Sequence, residues 1–240
     1  MSKLFIHHHL GLGDHLDCNG MVRYILKHSH YDKVAVFSKS NYFHMIDHMY
    51  RDTDDIEVWE VDKNDEYSSV AKVIQRENKS QCPPEILIVG HEHYPGPEAE
   101  KRLNKNCWEF FYEQINMPYS VRYDYFHVER DLEEEQRVFN KLNPNNEPYI
   151  FIHEDADRGF ELNRDHFLDK SLRTVENDIS ENKYHFTKII EEAKEIHCME
   201  SSFKTLIDIY AKQDNIFYHD FRNQPLGQNS LDKWKIIKYE

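Results

Sequence analysis

The sequence predicts an α/β chain of two Rossmann-like lobes, each with a parallel sheet, and a cleft between the lobes. Three observations carry this expectation. Short apolar runs rich in Val, Ile and Phe alternate with helical stretches, the order that builds a parallel sheet with helices on its faces. The first run, Lys3–His8, leads into a glycine turn that opens a helix. The alternation then stops at Asn143-Pro144-Asn145-Asn146-Glu147-Pro148, a linker by composition, and restarts beyond it. The lobes are therefore set at residues 1–142 and 149–240.

In the first lobe, strands are expected at Lys3–His8, Lys33–Ser38, Ile56–Val61 and Glu85–Gly90, with helices near Cys18–His28, Tyr42–Tyr50 and Tyr67–Glu77 between them. One further helix is expected over Glu98–Ile115, carrying Trp108, Phe110, Phe111 and Tyr112. At helical spacing such a group reads first as core, and second as the lining of an acceptor site. Met117-Pro118-Tyr119 breaks the pattern, and a charged helix over Glu129–Leu142 sets Leu132, Val138, Phe139 and Leu142 on its apolar positions. The second lobe offers strands Tyr149–His153, Leu172–Val175, Glu195–Cys198 and Ile216–Tyr218, and helices Tyr184–Ala193 and Ser201–Tyr210. Its tail, Leu231–Glu240, is aromatic and partly basic and is expected to pack.

Composition narrows the function. With 44 acidic against 30 basic residues, the formal net charge is -14. A nucleic-acid or anionic-membrane binder needs a basic face, so neither is expected as a main partner. An anionic substrate must then be met by a few local cations or by helix N-termini. The cysteines Cys18, Cys82, Cys107 and Cys198 are widely spaced and form no CxxC pair, which points to reduced thiols and a cytoplasmic location. No apolar run approaches the roughly 20 residues of a membrane span. Of the 16 histidines, His7, His8 and His9 are consecutive. In a strand, alternate side chains face opposite ways, so these three cannot all converge on one ion. No HExxH or similar spacing appears elsewhere, and no metal or other cofactor is expected.

Three constellations carry chemistry. The first is the turn Gly11-Leu12-Gly13-Asp14-His15. A dinucleotide fingerprint would need a glycine where Leu16 stands and an acid ending the second strand, which instead closes on Phe37-Ser38-Lys39. Asp14 is either a helix-capping acid or a general base at the cleft, with His15 tuning it or touching substrate. The second constellation follows strand Tyr149–His153: His153-Glu154-Asp155-Ala156-Asp157-Arg158. Arg158 suits a phosphate through its planar fork of donors, or forms a solvated ion pair with its acidic neighbours. The third is Glu200-Ser201-Ser202, where a strand gives way to a helix. Its hydroxyls and free N–H groups form either an anion site or a simple N-cap. Glu176, just past a strand end, is a candidate for hydrogen bonding to a ribose or base.

The chain resembles GT-B type glycosyltransferases, most of all the heptosyltransferase-related group and its short relatives. The residues carrying the resemblance are Gly11-Leu12-Gly13-Asp14-His15, Asn19-Gly20-Met21-Val22-Arg23 and Ile196-His197-Cys198-Met199-Glu200-Ser201-Ser202-Phe203. The late turn departs from the family in lacking the Gly and His often found there. The resemblance implies that Asp14 is the catalytic base and that a turn like Glu200–Ser202 holds the nucleotide-sugar diphosphate. It also implies catalysis without a bound metal. The expected activity is sugar transfer, with inversion, from a nucleotide-diphosphate donor to a glycan or other hydroxyl acceptor. Asp14 and His15 are the expected catalytic residues; Gly11, Gly13, Arg158, Glu176, Glu200, Ser201 and Ser202 are expected on the donor. Two other readings stand beside it: a non-catalytic sugar-nucleotide or glycan-binding relative, and an NAD-dependent oxidoreductase.

Overall fold

The structure, a computed structural model, describes residues 2–227 and 232–239. The chain divides into two compact units, Met1–Glu100 with Asn106–Glu129, and Lys101–Lys105 with Arg130–Glu240. Each is a parallel α/β unit.

In the first unit, β1 (Lys3–His7), α1 (Leu12–His28), β2 (Lys33–Lys39), α2 (Phe43–Met49), β3 (Ile56–Val61), α3 (Glu66–Glu77) and β4 (Glu85–Ile88) follow in turn. The sheet order is β3-β2-β1-β4, all parallel, with Phe5 opposite both Ala35 and Ile86. The order reverses at β1, so the carboxyl end of that strand is the place where such folds bind ligands. One face of the sheet buries Phe5, Ala35 and Phe37 against Leu10, Val61 and Val70, with the Phe5 and Phe37 rings stacked at 5.2 Å.

Helix α1 is not amphipathic: His15 to Val22 are all buried. Its polar residues bind neighbouring chain instead of water. Asp17 pairs with Arg122 at 2.5 Å, both essentially unexposed. Asn19 accepts from the His127 N–H at 2.9 Å and donates to the His127 carbonyl at 3.2 Å. Gly20 allows close approach, because a Cβ there would lie 2.4 Å from the Val121 carbonyl oxygen.

The single helix expected over 98–115 is two, α4 (Pro97–Leu103) and α5 (Cys107–Gln114). Asn104 takes a left-handed φ of 51°, a conformation asparagine tolerates better than most residues. Asn106 then caps α5, its side chain accepting from the Glu109 N–H at 2.9 Å while Glu109 accepts from the Asn106 N–H at 2.8 Å. This reciprocal pair is the capping box, and it starts a new helix where periodicity alone runs on. The short α6 (Val121–Asp124) completes the unit.

The second unit begins before the linker. α7 (Leu132–Leu142), which sequence reading assigns to the first lobe, packs here. Arg130, just ahead of it, bonds both Glu135 and Glu191, and Lys141 reaches Asp178 at 2.8 Å. The Asn-Pro run at 143–148 is thus a turn inside the second unit. β5 (Tyr149–His153), β6 (Arg173–Glu176), α8 (Thr187–Glu192), β7 (Glu195–Met199), α9 (Ser202–Tyr210), β8 (Ile216–Asp220) and β9 (Lys235–Lys238) follow. The sheet order is β6-β5-β7-β8-β9, all parallel. Such strands are covered on both faces and read as unbroken apolar runs, as β5 does. The expected packing tail supplies β9 at the sheet edge; Leu231 and Glu240 lie outside the described residues.

A buried polar chain crosses this sheet. His197 Nε2 lies 2.5 Å from Glu195 Oε1, His197 Nδ1 lies 2.7 Å from His219 Nε2, and His219 Nδ1 lies 2.6 Å from the Tyr239 hydroxyl. That hydroxyl also accepts from the Asn163 N–H at 2.8 Å. Burial lowers the pKa of both histidines to about 3, so they are neutral.

Candidate active site

In the first unit the candidate site is the turn after β1. Gly11 precedes α1 in extended conformation (φ -74°), and Asp14 sits in the helix's first turn. An acid there complements the unpaired N–H groups and the positive end of the helix dipole. Asp14 Oδ2 accepts from the Gly11 N–H at 3.1 Å, and Oδ1 accepts from the Trp108 indole N–H at 2.9 Å. The carboxylate is therefore oriented from both sides by elements far apart in sequence. Burial raises its pKa, against the lowering effect of the Trp108 bond, His9, the Gly11 N–H and Lys39. A half-buried carboxylate with raised basicity and fixed orientation is suited to proton abstraction.

The neighbouring candidates are placed differently. His15 is fully buried, its ring 4.6 Å from that of His8, and burial holds its pKa well below the usual histidine value. It is a neutral interior group, and the structure gives it no hydrogen bond to Asp14. Gly11 faces Asp14 so closely that a Cβ would stand 2.6 Å from Oδ2, whereas a Cβ at Gly13 would meet nothing within 4 Å. Gly11 thus seats the carboxylate and Gly13 leaves space beside it.

In the second unit the candidate groups gather at the carboxyl ends of β5 and β7. Ser201 caps α9, its hydroxyl accepting from the Phe203 N–H at 3.1 Å. Ser202 accepts a hydrogen bond from Lys183 Nζ. Burial brings the Lys183 pKa down to about 8, and among the described residues no carboxylate pairs with it. Its charge also lies 5.5 Å from the centre of the Phe203 ring. His153 packs on that ring at 4.7 Å and its Nδ1 lies 2.7 Å from Asn177 Oδ1, leaving Nε2 for another partner. Both Lys183 and Arg158 bear on His153, although burial is the main cause of its lowered pKa. A half-buried cation beside a serine hydroxyl at a helix start is an anion-binding arrangement.

Sequence reading placed Ser201 and Ser202 at this helix start but passed over Lys183. A lone lysine after Asn182 carries no local signal, and only the fold brings it beside Ser202. Arg158 is 55 % exposed and bonded to Asp155 at 2.6 Å, the ion-pair arrangement set beside phosphate binding in the sequence. Glu176 is exposed, 3.7 Å from Arg164, and lines with His153, Asp155 and Asn177 an open depression of about 380 Å³. Glu200 accepts from the Tyr218 hydroxyl at 3.1 Å, and burial raises its pKa.

No protein-family model matches the sequence, and no curated protein is significantly similar to it. Solved structures do match. One is the glycosyl transferase family 9 structure from Veillonella parvula DSM 2008, with a TM-score of 0.54 at 10 % identity, over 99 % of this chain and 86 % of that one. Another is the E. coli ADP-heptose lps heptosyltransferase II, with a TM-score of 0.53 at 10 % identity, over 99 % of this chain and 90 % of that one. At such identity the likeness speaks for the fold alone. Two parallel α/β units matching these structures over nearly the whole chain give it the GT-B glycosyltransferase fold.

Proposed function

We propose that the chain transfers a sugar from a nucleotide-diphosphate donor to a hydroxyl acceptor. The observation carrying this reading is the Asp14 carboxylate, held by the Gly11 N–H and the Trp108 indole at the carboxyl end of β1, with its pKa raised by burial. In this reading Asp14 takes the proton of the acceptor hydroxyl as that oxygen attacks the anomeric carbon. The bond from that carbon to the diphosphate oxygen breaks, and the diphosphate leaves with the electron pair. With one base and no carboxylate nucleophile assigned, the configuration inverts. Lys183, Ser202 and the N–H groups opening α9 would meet the charge growing on the leaving group, a common source of barrier lowering in group transfer. Arg158 would join them by exchanging Asp155 for phosphate, and Glu176 would meet the ribose or base.

The test is a thermal-shift panel of nucleoside diphosphates, followed by transfer assays on Asp14→Asn. ADP goes first because the name of one similar structure carries ADP-heptose. A ligand that binds only the folded state raises the melting temperature by mass action. The reading expects one nucleoside diphosphate to do so, with Asp14→Asn keeping that shift and losing transfer. A panel without any shift overturns it. So does an Asp14→Asn enzyme with full transfer, and binding without transfer to any hydroxyl acceptor would mark a binding protein on a transferase fold.

A further inference from the structure

We propose that the first unit carries a binding site for one divalent transition-metal ion, built from His7, Glu66 and His91. The three come from different elements: His7 ends β1, Glu66 opens α3, and His91 follows the turn after β4. All lie at the carboxyl end of the sheet. One ligand atom from each lies within 4.8 Å of the others. Tetrahedral zinc with bonds of about 2.0–2.1 Å to His and carboxylate needs ligand atoms about 3.4 Å apart. His7 Nε2 and Glu66 Oε1 already stand 3.5 Å apart, and the remaining spacing closes with side-chain movements of about an ångström.

A second observation points to a missing partner. His7 is only 5 % exposed, yet among the described residues its Nε2 has only the 3.5 Å ion-pair contact with Glu66 Oε1, and the buried Nε2 of His91 has no hydrogen bond. Buried ring nitrogens in native proteins are normally satisfied, so two such atoms beside one carboxylate oxygen call for a ligand. Burial is the main cause of the lowered pKa of both histidines, and a neutral imidazole keeps one nitrogen lone pair for coordination.

The surroundings fit a metal centre. Lys39 Nζ holds Glu66 Oε2 at 2.9 Å, which leaves Oε1 facing His7. The Tyr67 hydroxyl lies 3.3 Å from His91 Nδ1, and the His91 N–H donates to His9 Nε2 at 2.8 Å. Outer hydrogen bonds of this kind fix the tautomer and direction of metal-binding side chains. Two imidazoles and one carboxylate favour zinc and its first-row neighbours over magnesium or calcium, and three protein ligands leave a coordination position open. His8 packs on His15, away from this cluster, and only His7 of the three consecutive histidines joins it.

The test uses the full chain, stripped with a chelator and titrated with Zn2+ against a chromophoric competitor. One tight equivalent is expected. His91→Ala and Glu66→Gln should each weaken it by about tenfold or more, while His30→Ala, at an exposed histidine outside the cluster, should leave it unchanged. Co2+ in the unmodified protein should give the intense visible absorption of a four- or five-coordinate ion, lost in His91→Ala. Equal zinc affinity in all variants, absence of a saturable equivalent, or a weak six-coordinate Co2+ spectrum each overturns the site. The readout is independent of nucleotide binding and transfer, so this proposal and the transferase reading fail separately.

Discussion

Replacing Gly11 with alanine puts a methyl group where the Asp14 carboxylate now sits. The added Cβ would lie 2.6 Å from Oδ2 and 3.6 Å from Cγ. An ordinary contact needs about 3.4 Å or more, so the oxygen must retreat by roughly 0.8 Å. The Gly11 N–H bond, 3.1 Å now, is then lost, and the Trp108 bond at 2.9 Å is disturbed. Losing the cap interaction costs about 0.5–2 kcal/mol, and the stiffer unfolded chain returns about 0.4–1 kcal/mol. Gly11→Ala should therefore destabilise the first unit by about 0.5 kcal/mol, and by at most about 1.6 kcal/mol. The same change at Gly13 meets nothing within 4 Å and lies inside α1, so it should stabilise by about 0.4–1 kcal/mol. The assay is denaturant unfolding followed by Trp108 fluorescence in a Trp59→Phe/Trp234→Phe background, where the indole–carboxylate contact also sets the native emission. A Gly11→Ala protein as stable as its parent with unchanged emission would refute the seating of Asp14, and a destabilised Gly13→Ala would refute the open helix start.

Other perturbations test other parts of the structure. Arg122→Met removes the ion-pair partner of the buried Asp17 carboxylate and should cost about 3–5 kcal/mol, most of it recovered in Asp17→Leu/Arg122→Met, as read by denaturant midpoints. A single mutant within experimental error of its parent would contradict that pairing. Lys183→Ala should weaken nucleoside-diphosphate binding about 10- to 100-fold by calorimetry. Because Lys183 loses its proton near pH 8, affinity in the parent should fall between about pH 7 and 9, and that fall should vanish in the variant. The folded-state pKa values of His197 and His219 lie below that of a free histidine, so the unfolded chain binds more protons. Stability from these two is complete above about pH 6.5 and is lost as pH drops toward 3. His219→Phe should flatten the dependence of unfolding free energy on pH in that window.

Strands β1 to β8 were legible as short, mostly apolar runs, with Ile56–Val61 and Tyr149–His153 matching residue for residue, whereas β9 (Lys235–Lys238) was read only as a packing tail. The turn at Gly11–Asp14 was legible for the same reason: a strand, two glycines and an acid are local. What the sequence hid is non-local or depends on single caps. Asn104 and Asn106 break a helix that periodicity continues, and a capping pair outweighs hydrophobic spacing over one turn. Arg130 and Lys141 tie α7 to acids over 35 residues downstream, so the proline-rich run is not the seam between units. Lys183 meets Ser202 only across the sheet's end. Glu66 and His91 stand 59 and 84 residues beyond His7, a spacing no motif describes.

The Glu195–His197–His219–Tyr239 chain stores one bit of information. While Glu195 is ionised it can only accept, so His197 must carry its proton on Nε2 and receive at Nδ1. His219 must then do the same, and Tyr239 must aim its O–H inward at His219 Nδ1. A proton arriving on Glu195 Oε1, the oxygen facing His197, reverses every arrow at once: both rings switch tautomer, and the Tyr239 hydrogen is turned outward. The protonation state of a buried carboxyl at the start of β7 is thus written in the direction of a hydroxyl just past β9, with no movement of the backbone between them.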